Sequence, residues 1–186
     1  MASLVFIEFD KNIINGYTKQ SATLASSNSN LVIGVSDYKN EVYLKTLGEY
    51  GFDKVYMVND FSNEDKIFNI IRDENIQTIF SSNSNNIKEI SSKISINFNF
   101  PILNNVINLE SINKPKTSIF SGKAEAEIQI DTDKCIFILN KNLIESKKFN
   151  KSTKVVNLVT SVNENNYEVL EKVEDRKSTR LNPVTL

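Results

Sequence analysis

The segment Leu47-Gly-Glu-Tyr-Gly-Phe-Asp-Lys-Val-Tyr56 joins a helical pattern to an apolar run of strand length. Residues 40–50 repeat apolar side chains at helical spacing, and Gly51 suits the left-handed conformation that commonly ends a helix. Residues 54–58, Lys-Val-Tyr-Met-Val, form a short run rich in β-branched and aromatic side chains. The segment therefore predicts a helix that stops at Gly51 and leads into a strand.

Strand-like runs and helical patterns alternate in this way through residues 1–100. Besides residues 54–58, strand-like runs cover residues 4–9, 31–35 and 76–80. Helical patterns cover residues 18–26 and 40–50, and two later stretches repeat isoleucine on one face, the first with Ile67, Ile70 and Ile71 and the second with Ile87, Ile90 and Ile94. Four such units in a row predict a parallel sheet wrapped by helices, with right-handed crossovers.

The two isoleucine-rich helices carry start signals. Ser62-Asn-Glu-Asp65 resembles a capping box, with Ser62 as the cap and Asp in place of the preferred Glu. Asn86 precedes the second helical pattern and is predicted to cap it.

The second half of the chain has a different pattern. Strand-like runs cover residues 102–109, 116–120, 124–130, 135–139 and 155–159, and Asp131-Thr-Asp-Lys134 is predicted to be a hairpin turn. We therefore predict an α/β fold, a Rossmann-like three-layer sandwich with a mainly parallel sheet plus added antiparallel strands in the second half. Five aromatic side chains are predicted to lie in the core: Phe6, Phe9, Phe68, Phe80 and Phe120.

Composition excludes several classes of function. The chain has 186 residues, the size of one domain, and a formal net charge of −1, so nothing suggests nucleic acid or an anionic membrane as a partner. It contains no histidine, which removes the commonest general base, the commonest metal ligand and the usual hydrolase triads. No apolar run approaches the ~20 residues that span a bilayer. We expect a soluble, cytoplasmic protein without membrane insertion.

Phosphate-binding motifs are absent. The chain holds only 5 glycines and neither G-x-G-x-x-G nor G-x-x-x-x-G-K-[ST]. The first strand–helix turn, Glu8-Phe-Asp-Lys-Asn-Ile-Ile-Asn-Gly16, carries one glycine and two carboxylates. We therefore predict no catalytic, cofactor-binding or metal-binding residues in this fragment, which is not expected to be an enzyme.

The side chains with possible chemistry each have a simpler explanation. Glu8, Asp10 and Asp60 follow strands at the edge where α/β sheets bind ligands, but without phosphate-binding glycines we interpret them as solvated edge residues. Asp131 and Asp133 could bind a divalent cation, but a turn explains them better.

The same holds for the thiol and the lysine-rich stretch. The lone Cys135 is read as an inert buried thiol rather than a reactive one. Lysines at positions 147, 148, 151 and 154 are interpreted as a charged loop rather than a nucleic-acid patch, because few aromatics are interleaved.

Four segments, taken in order, resemble a known family. Leu4-Val-Phe-Ile-Glu8, the segment from Leu47 to Tyr56, Lys116-Thr-Ser-Ile-Phe-Ser-Gly-Lys-Ala124 and Cys135-Ile-Phe-Ile-Leu-Asn140 resemble segments of electron transfer flavoprotein alpha subunits, the third in its Bacteroidetes-like form. The resemblance covers about residues 3–170 and corresponds to the amino-terminal domain.

This resemblance implies a role in a complex. The domain would pack on the beta subunit of an FAD-containing heterodimer, while the FAD-binding carboxy-terminal domain is missing from this fragment. The complex would carry electrons from dehydrogenases, as in fatty acid beta-oxidation, to a membrane quinone oxidoreductase and the respiratory chain. The alternatives are a stand-alone universal-stress-like nucleotide-binding protein, which would need a glycine-rich phosphate loop, and a small α/β enzyme.

Residues 175–186 look foreign to the rest. Asp175-Arg-Lys-Ser-Thr-Arg-Leu-Asn182 is encoded by GAT-CGG-AAG-AGC-ACA-CGT-CTG-AAC, the start of a common short-read sequencing adapter, and its continuation with one base dropped encodes Pro183-Val-Thr185. We therefore expect residues 1–174 to be the domain and 175–186 an artefactual tail, the alternative being a basic solvated tail.

Overall fold

The structure is a computed structural model that describes residues 1–159. The predicted artefactual tail at residues 175–186 lies outside the described residues. The helices are α1 (Gly16–Asn28), α2 (Glu41–Leu44), α3 (Glu64–Asp73) and α4 (Asn85–Phe98), and α2 continues into a 3₁₀ helix over Lys45–Tyr50. The strands are β1 (Ala2–Ile7), β2 (Phe9–Asp10), β3 (Ile13–Ile14), β4 (Leu31–Ser36), β5 (Lys54–Met57), β6 (Ile76–Ser81), β7 (Ile102–Asn108), β8 (Lys116–Ile119), β9 (Ala124–Glu127), β10 (Cys135–Leu139) and β11 (Lys154–Asn157).

One mainly parallel sheet organises the described chain. Its strand order is β11-β5-β4-β1-β6-β10-β7-β8-β9, and every neighbouring pair is parallel except β7 with β8 and β8 with β9. The predicted α/β class, with a mainly parallel sheet and added antiparallel strands, is therefore confirmed.

The prediction that Asp131-Thr-Asp-Lys134 forms a hairpin turn is wrong, because the strands on its two sides do not pair with each other. Residues 132–133 bend as expected, but β10 pairs with β6 and β7, both in parallel, and not with β9. All five residues of β10 are buried, as is typical of a central parallel strand covered on both faces. The turn therefore carries the chain from the edge of the sheet back to its middle.

Two helical layers cover the sheet, as the alternation of side chains in β1 illustrates. Val5 and Ile7 are fully buried in the cluster that contains the apolar residues of α1 and of the 3₁₀ helix. Leu4 and Phe6 are buried in the cluster formed with α3 and α4. Because successive strand residues point to opposite faces, the continuous apolar run supplies both layers of a three-layer sandwich.

One predicted helix end is confirmed, and two predicted helix caps are wrong. Gly51 has φ of 100° and ends the 3₁₀ helix in the left-handed conformation, as predicted. The cap of α3 is Asn63 and not Ser62, because the Asn63 side chain accepts the N–H of Lys66 while Ser62 turns back to Asp60. The cap of α4 is Ser84 and not Asn86, which already lies inside the helix.

The prediction that Phe120 lies in the core is wrong. Its side chain is 76% exposed, whereas Phe6, Phe68 and Phe80 are buried and Phe9 is partly buried. Phe120 belongs to the short turn between β8 and β9. Alternation at period two identified the strand but could not show where it ended.

Candidate functional site

The candidate site is a crevice at the carboxyl ends of the parallel strands, beside β1. The chain runs from β1 to β4 through α1 and reaches β6, on the other side of β1, after α3. Open α/β sheets bind ligands where the strand order reverses in this way. The crevice encloses about 480 Å³, and its lining includes Glu8, Asp10, Asn15, Ser82, Ser84 and Lys141.

The loop after β1 forms one wall of the crevice. It folds into the small hairpin of β2 and β3, whose turn residues Lys11 and Asn12 have φ of 48° and 67°. Two consecutive left-handed residues are typical of the two-residue turns that match strand twist. The N–H of Asn15 then donates to the carbonyl of Glu8 at 3.0 Å, which fixes the Glu8 backbone at the mouth of the crevice.

The first turn of α1 is already capped from within the chain. The Asn15 side chain accepts the N–H of Thr18 at 2.8 Å, and the Thr18 hydroxyl accepts the N–H of Glu8 at 3.0 Å. These contacts join the end of β1 to the start of α1. One amide that could have faced an anionic ligand is thereby satisfied by a side chain.

The loop after β10 forms the opposite wall and is held by Gln20 of α1. The Gln20 amide donates to the carbonyl of Asn140 at 2.7 Å and accepts the N–H of Leu143 at 2.9 Å. Gln20 is buried, so both backbone groups depend on it for a partner. Sequence reasoning missed this residue, and no local signal marks it because its partners lie in a distant segment.

A second group of carboxylates lies along the same edge. Asp37 follows β4, and burial is the main cause that raises the pKa of its carboxyl group above the ordinary value of 3.8, with further contributions from the charges of Glu8 and Asp60. Asp60 itself accepts the N–H of Ser62 at 2.7 Å. The sequence singled out Glu8 and Asp60 but missed Asp37. Among residues 1–159, no group of three or more acidic or cysteine side chains is arranged to hold a metal ion.

Comparison with known proteins identifies the family. The family model described as the electron transfer flavoprotein domain matches residues 3–163. The chain belongs to the electron transfer flavoprotein domain family. Proteins of this family are, in general, electron carriers rather than catalysts, and they are associated with flavin. No curated protein matches the chain significantly.

The family match refines the expectations drawn from sequence. It does not favour a stand-alone universal-stress-type protein, and it does not distinguish alpha from beta subunits. It indicates a protein that works with a partner in an electron transfer complex. Within the described part of the chain, no helix has the length and apolar character needed to cross a bilayer.

The crevice of this electron transfer flavoprotein domain does not fit the pyrophosphate of FAD. Glu8 and Asp10 contribute two negative charges to the lining against one positive charge from Lys141, and the cap of α1 is supplied by Asn15. A pyrophosphate is normally held by free backbone amides at a helix N-terminus behind a glycine-rich turn. The carboxylates and amides present would instead accept hydrogen bonds from hydroxyl or amino groups.

The lysine-rich loop of the domain is a structural strap. Lys148 pairs with Glu49 at 2.8 Å, and Lys151 pairs with Asp53 at 2.9 Å. The N–H of Phe149 donates to the carbonyl of Glu49 at 2.8 Å. These contacts support the prediction of a charged loop for residues 147–151, whereas Lys154, which was predicted to belong to the loop, begins β11. The contacts tie the loop to the 3₁₀ helix and to the segment before β5.

The other predicted side chains lie apart from the crevice. Asp131 and Asp133 are exposed at the amino end of β10, on the side of the sheet away from the crevice. Cys135 is buried, and burial raises the pKa of its thiol to about 12. The burial matches the sequence-based interpretation of a buried thiol. A thiol with so high a pKa is expected to stay protonated and unreactive at neutral pH.

Proposed function

We propose that this chain is the amino-terminal scaffold domain of an electron transfer flavoprotein alpha subunit. In this proposal it packs on the beta subunit of an FAD-containing heterodimer in the bacterial cytoplasm. The heterodimer carries electrons from dehydrogenases, including those of fatty acid beta-oxidation, to a membrane quinone oxidoreductase. The observation that carries the proposal is the family match over residues 3–163. The ordered resemblance of four segments to alpha subunits supports the choice of subunit.

In this proposal FAD binds to another part of the complex and not to this domain. The support for this step is the crevice itself, where the carboxylates of Glu8 and Asp10 outnumber the cationic Lys141 and would repel a pyrophosphate. We therefore propose no catalytic, cofactor-binding or metal-binding residue among residues 1–174. The FAD-binding domain would be encoded downstream of Glu174, in place of the adapter-like residues 175–186. Sequencing the source locus tests that step, and an uninterrupted genomic match to residues 175–186 would contradict it.

Co-expression tests the proposed role. The chain is produced alone, together with the beta subunit of its source organism, and as the full reading frame with that beta subunit. We expect the chain alone to purify without the visible absorbance of flavin, and the full reading frame with its partner to purify yellow with stoichiometric FAD. Tight stoichiometric FAD on the chain alone, or no association of the full reading frame with the beta subunit, would overturn the proposal.

A further inference from the structure

The outer edge of the sheet beside β9 presents backbone groups that no described strand pairs with. The ladder between β8 and β9 continues past β9, because the N–H of Ile128 donates to Pro115 at 2.9 Å and that of Ile130 to Asn113 at 3.0 Å. Residues at alternate positions, such as Glu127 and Gln129, therefore point their amides away from β8. In the portion of the chain that the structure describes, no strand pairs with this side of β9.

The turn that leads into this edge is strained and presents an aromatic side chain. Phe120 has φ of 49° and the following Ser121 has φ of 56°, so two consecutive residues with side chains adopt the left-handed conformation. For a bulky residue this conformation is unfavourable, and such strain concentrates at functional sites. Phe120 is 76% exposed and the preceding Ile119 is 36% exposed.

The charge on the edge indicates what could pair with it. Glu125 and Glu127 lie on the same face of β9 and are exposed. Lys116 of β8 is the cross-strand neighbour of Glu127, but neither glutamate forms an ion pair with another residue in 1–159. Antiparallel pairing with β9 of a second copy would bring two rows of glutamates together, which is destabilising. An extended segment with lysine or arginine at alternate positions would place opposite charges across from both glutamates.

We propose that β9 and Phe120 together form a docking edge for an extended basic segment of the beta subunit. The segment adds to the sheet as a strand next to β9, its alternate lysine or arginine side chains pair with Glu125 and Glu127, and Phe120 inserts into an apolar pocket beside it. The identity of the partner rests on the proposed function. The location of the edge and the charge of the segment rest on the structure alone.

Site-specific cross-linking tests the location. The photoreactive residue p-benzoylphenylalanine is placed at position 120 in the full reading frame, which is co-expressed with the beta subunit. The control places it at position 42, because Val42 is 77% exposed and lies on α2, remote from β9. We expect position 120 to cross-link to a beta-subunit segment with basic residues at alternate positions, and position 42 to give no such product. A product with a second copy of this chain, or an uncross-linked complex, would overturn the proposal.

Charge reversal tests the recognition of the basic segment. The double variant Glu125→Lys with Glu127→Lys should raise the Kd for the beta subunit about tenfold or more, and Phe120→Ala should do the same. The matched control, Asp131→Lys with Asp133→Lys, makes the same charge change at the same spacing in the neighbouring turn and should alter Kd by about twofold or less. Circular dichroism checks that each variant is folded. An unchanged Kd in both edge variants refutes the docking edge, whereas failure of the unsubstituted protein to bind the beta subunit refutes the proposed function and this partner with it.

Discussion

Replacing Gly48 by alanine should destabilise the domain, although the same change at Gly16 should not. A Cβ atom added at Gly48 would lie 2.0 Å from the carbonyl oxygen of Lys151, and the atom in contact is backbone. At Gly16, which begins α1, an added Cβ would have no atom within 4 Å. The two substitutions therefore make the same chemical change in opposite packing environments.

The magnitude follows from what holds the strap in place. To bring the contact beyond 3.0 Å, the Lys151 backbone must move by about 1 Å or more. Such overpacking alone costs about 1–3 kcal/mol. The movement also strains the hydrogen bond from Thr153 to the Phe52 carbonyl, at 3.0 Å, and the Lys151–Asp53 ion pair, at 2.9 Å. With about 1 kcal/mol for a weakened hydrogen bond, we expect Gly48→Ala to cost about 2–4 kcal/mol.

Urea and thermal unfolding followed by circular dichroism measure the difference. The loss should lower Tm by about 4–16 °C for a chain of this size. Gly16→Ala should be neutral or stabilise by roughly 0.4–1 kcal/mol, because alanine restricts the unfolded chain. Hydrogen exchange should also quicken at the N–H of Lys154, which donates to the Asp53 carbonyl at 3.0 Å. If the free energies of unfolding of the two variants differ by less than about 0.5 kcal/mol, the close contact between Gly48 and the Lys151 backbone is refuted.

Two further predictions concern titratable groups. Burial, the largest cause, and the negative charges of Glu8 and Asp60 raise the pKa of Asp37 above 3.8. The folded state therefore binds the proton of this carboxyl group more tightly than the unfolded state does. Stability from this group is thus present below pH 3.8 and lost as pH rises through the folded pKa. Asp37→Asn should accordingly raise Tm at pH 7 and give no gain at pH 3, and an unchanged Tm at pH 7 would contradict this account. Burial raises the pKa of the Cys135 thiol to about 12, so the thiol should resist a thiol reagent in the folded chain at neutral pH. In denaturant it should react stoichiometrically. Rapid labelling of the folded chain would refute its burial.

Local patterns were sufficient to predict most of the elements. The continuous apolar run of β4 and the isoleucine spacing of α3 and α4 reflect side chains that one segment alone directs at the core. Gly51 was predictable for the same reason, since a left-handed helix end depends on a single residue. Helix caps were predicted less well, because Ser62 and Asn63 are both acceptable caps and only the course of the chain selects between them.

Strand pairing and the full crevice could not be predicted, because both depend on distant segments. Cys135 pairs in parallel with Thr78, and nothing near either residue encodes that register. Glu8 could be placed at the crevice from the rule that ligands bind at the carboxyl ends of strands. Gln20 could not be placed at the crevice, because its side chain contacts the loop after β10 only once that loop lies against α1 in the folded chain.

The two edges of the sheet differ in a way that bears on assembly. Both outermost strands, β11 and β9, are short, at four residues each. The β11 edge is tied down, because the Lys66 ammonium of α3 donates to the Leu158 carbonyl at 2.5 Å and the strap before Lys154 is anchored to Asp53. At β9 the described chain supplies no comparable cover, and the backbone leading into it is strained.

Proteins normally shield or charge the edges of their sheets to prevent unwanted pairing. Charge at Glu125 and Glu127 disfavours pairing with a second copy, but the exposed Phe120 is not explained by that protection. An anchor for a chosen partner accounts for both features together.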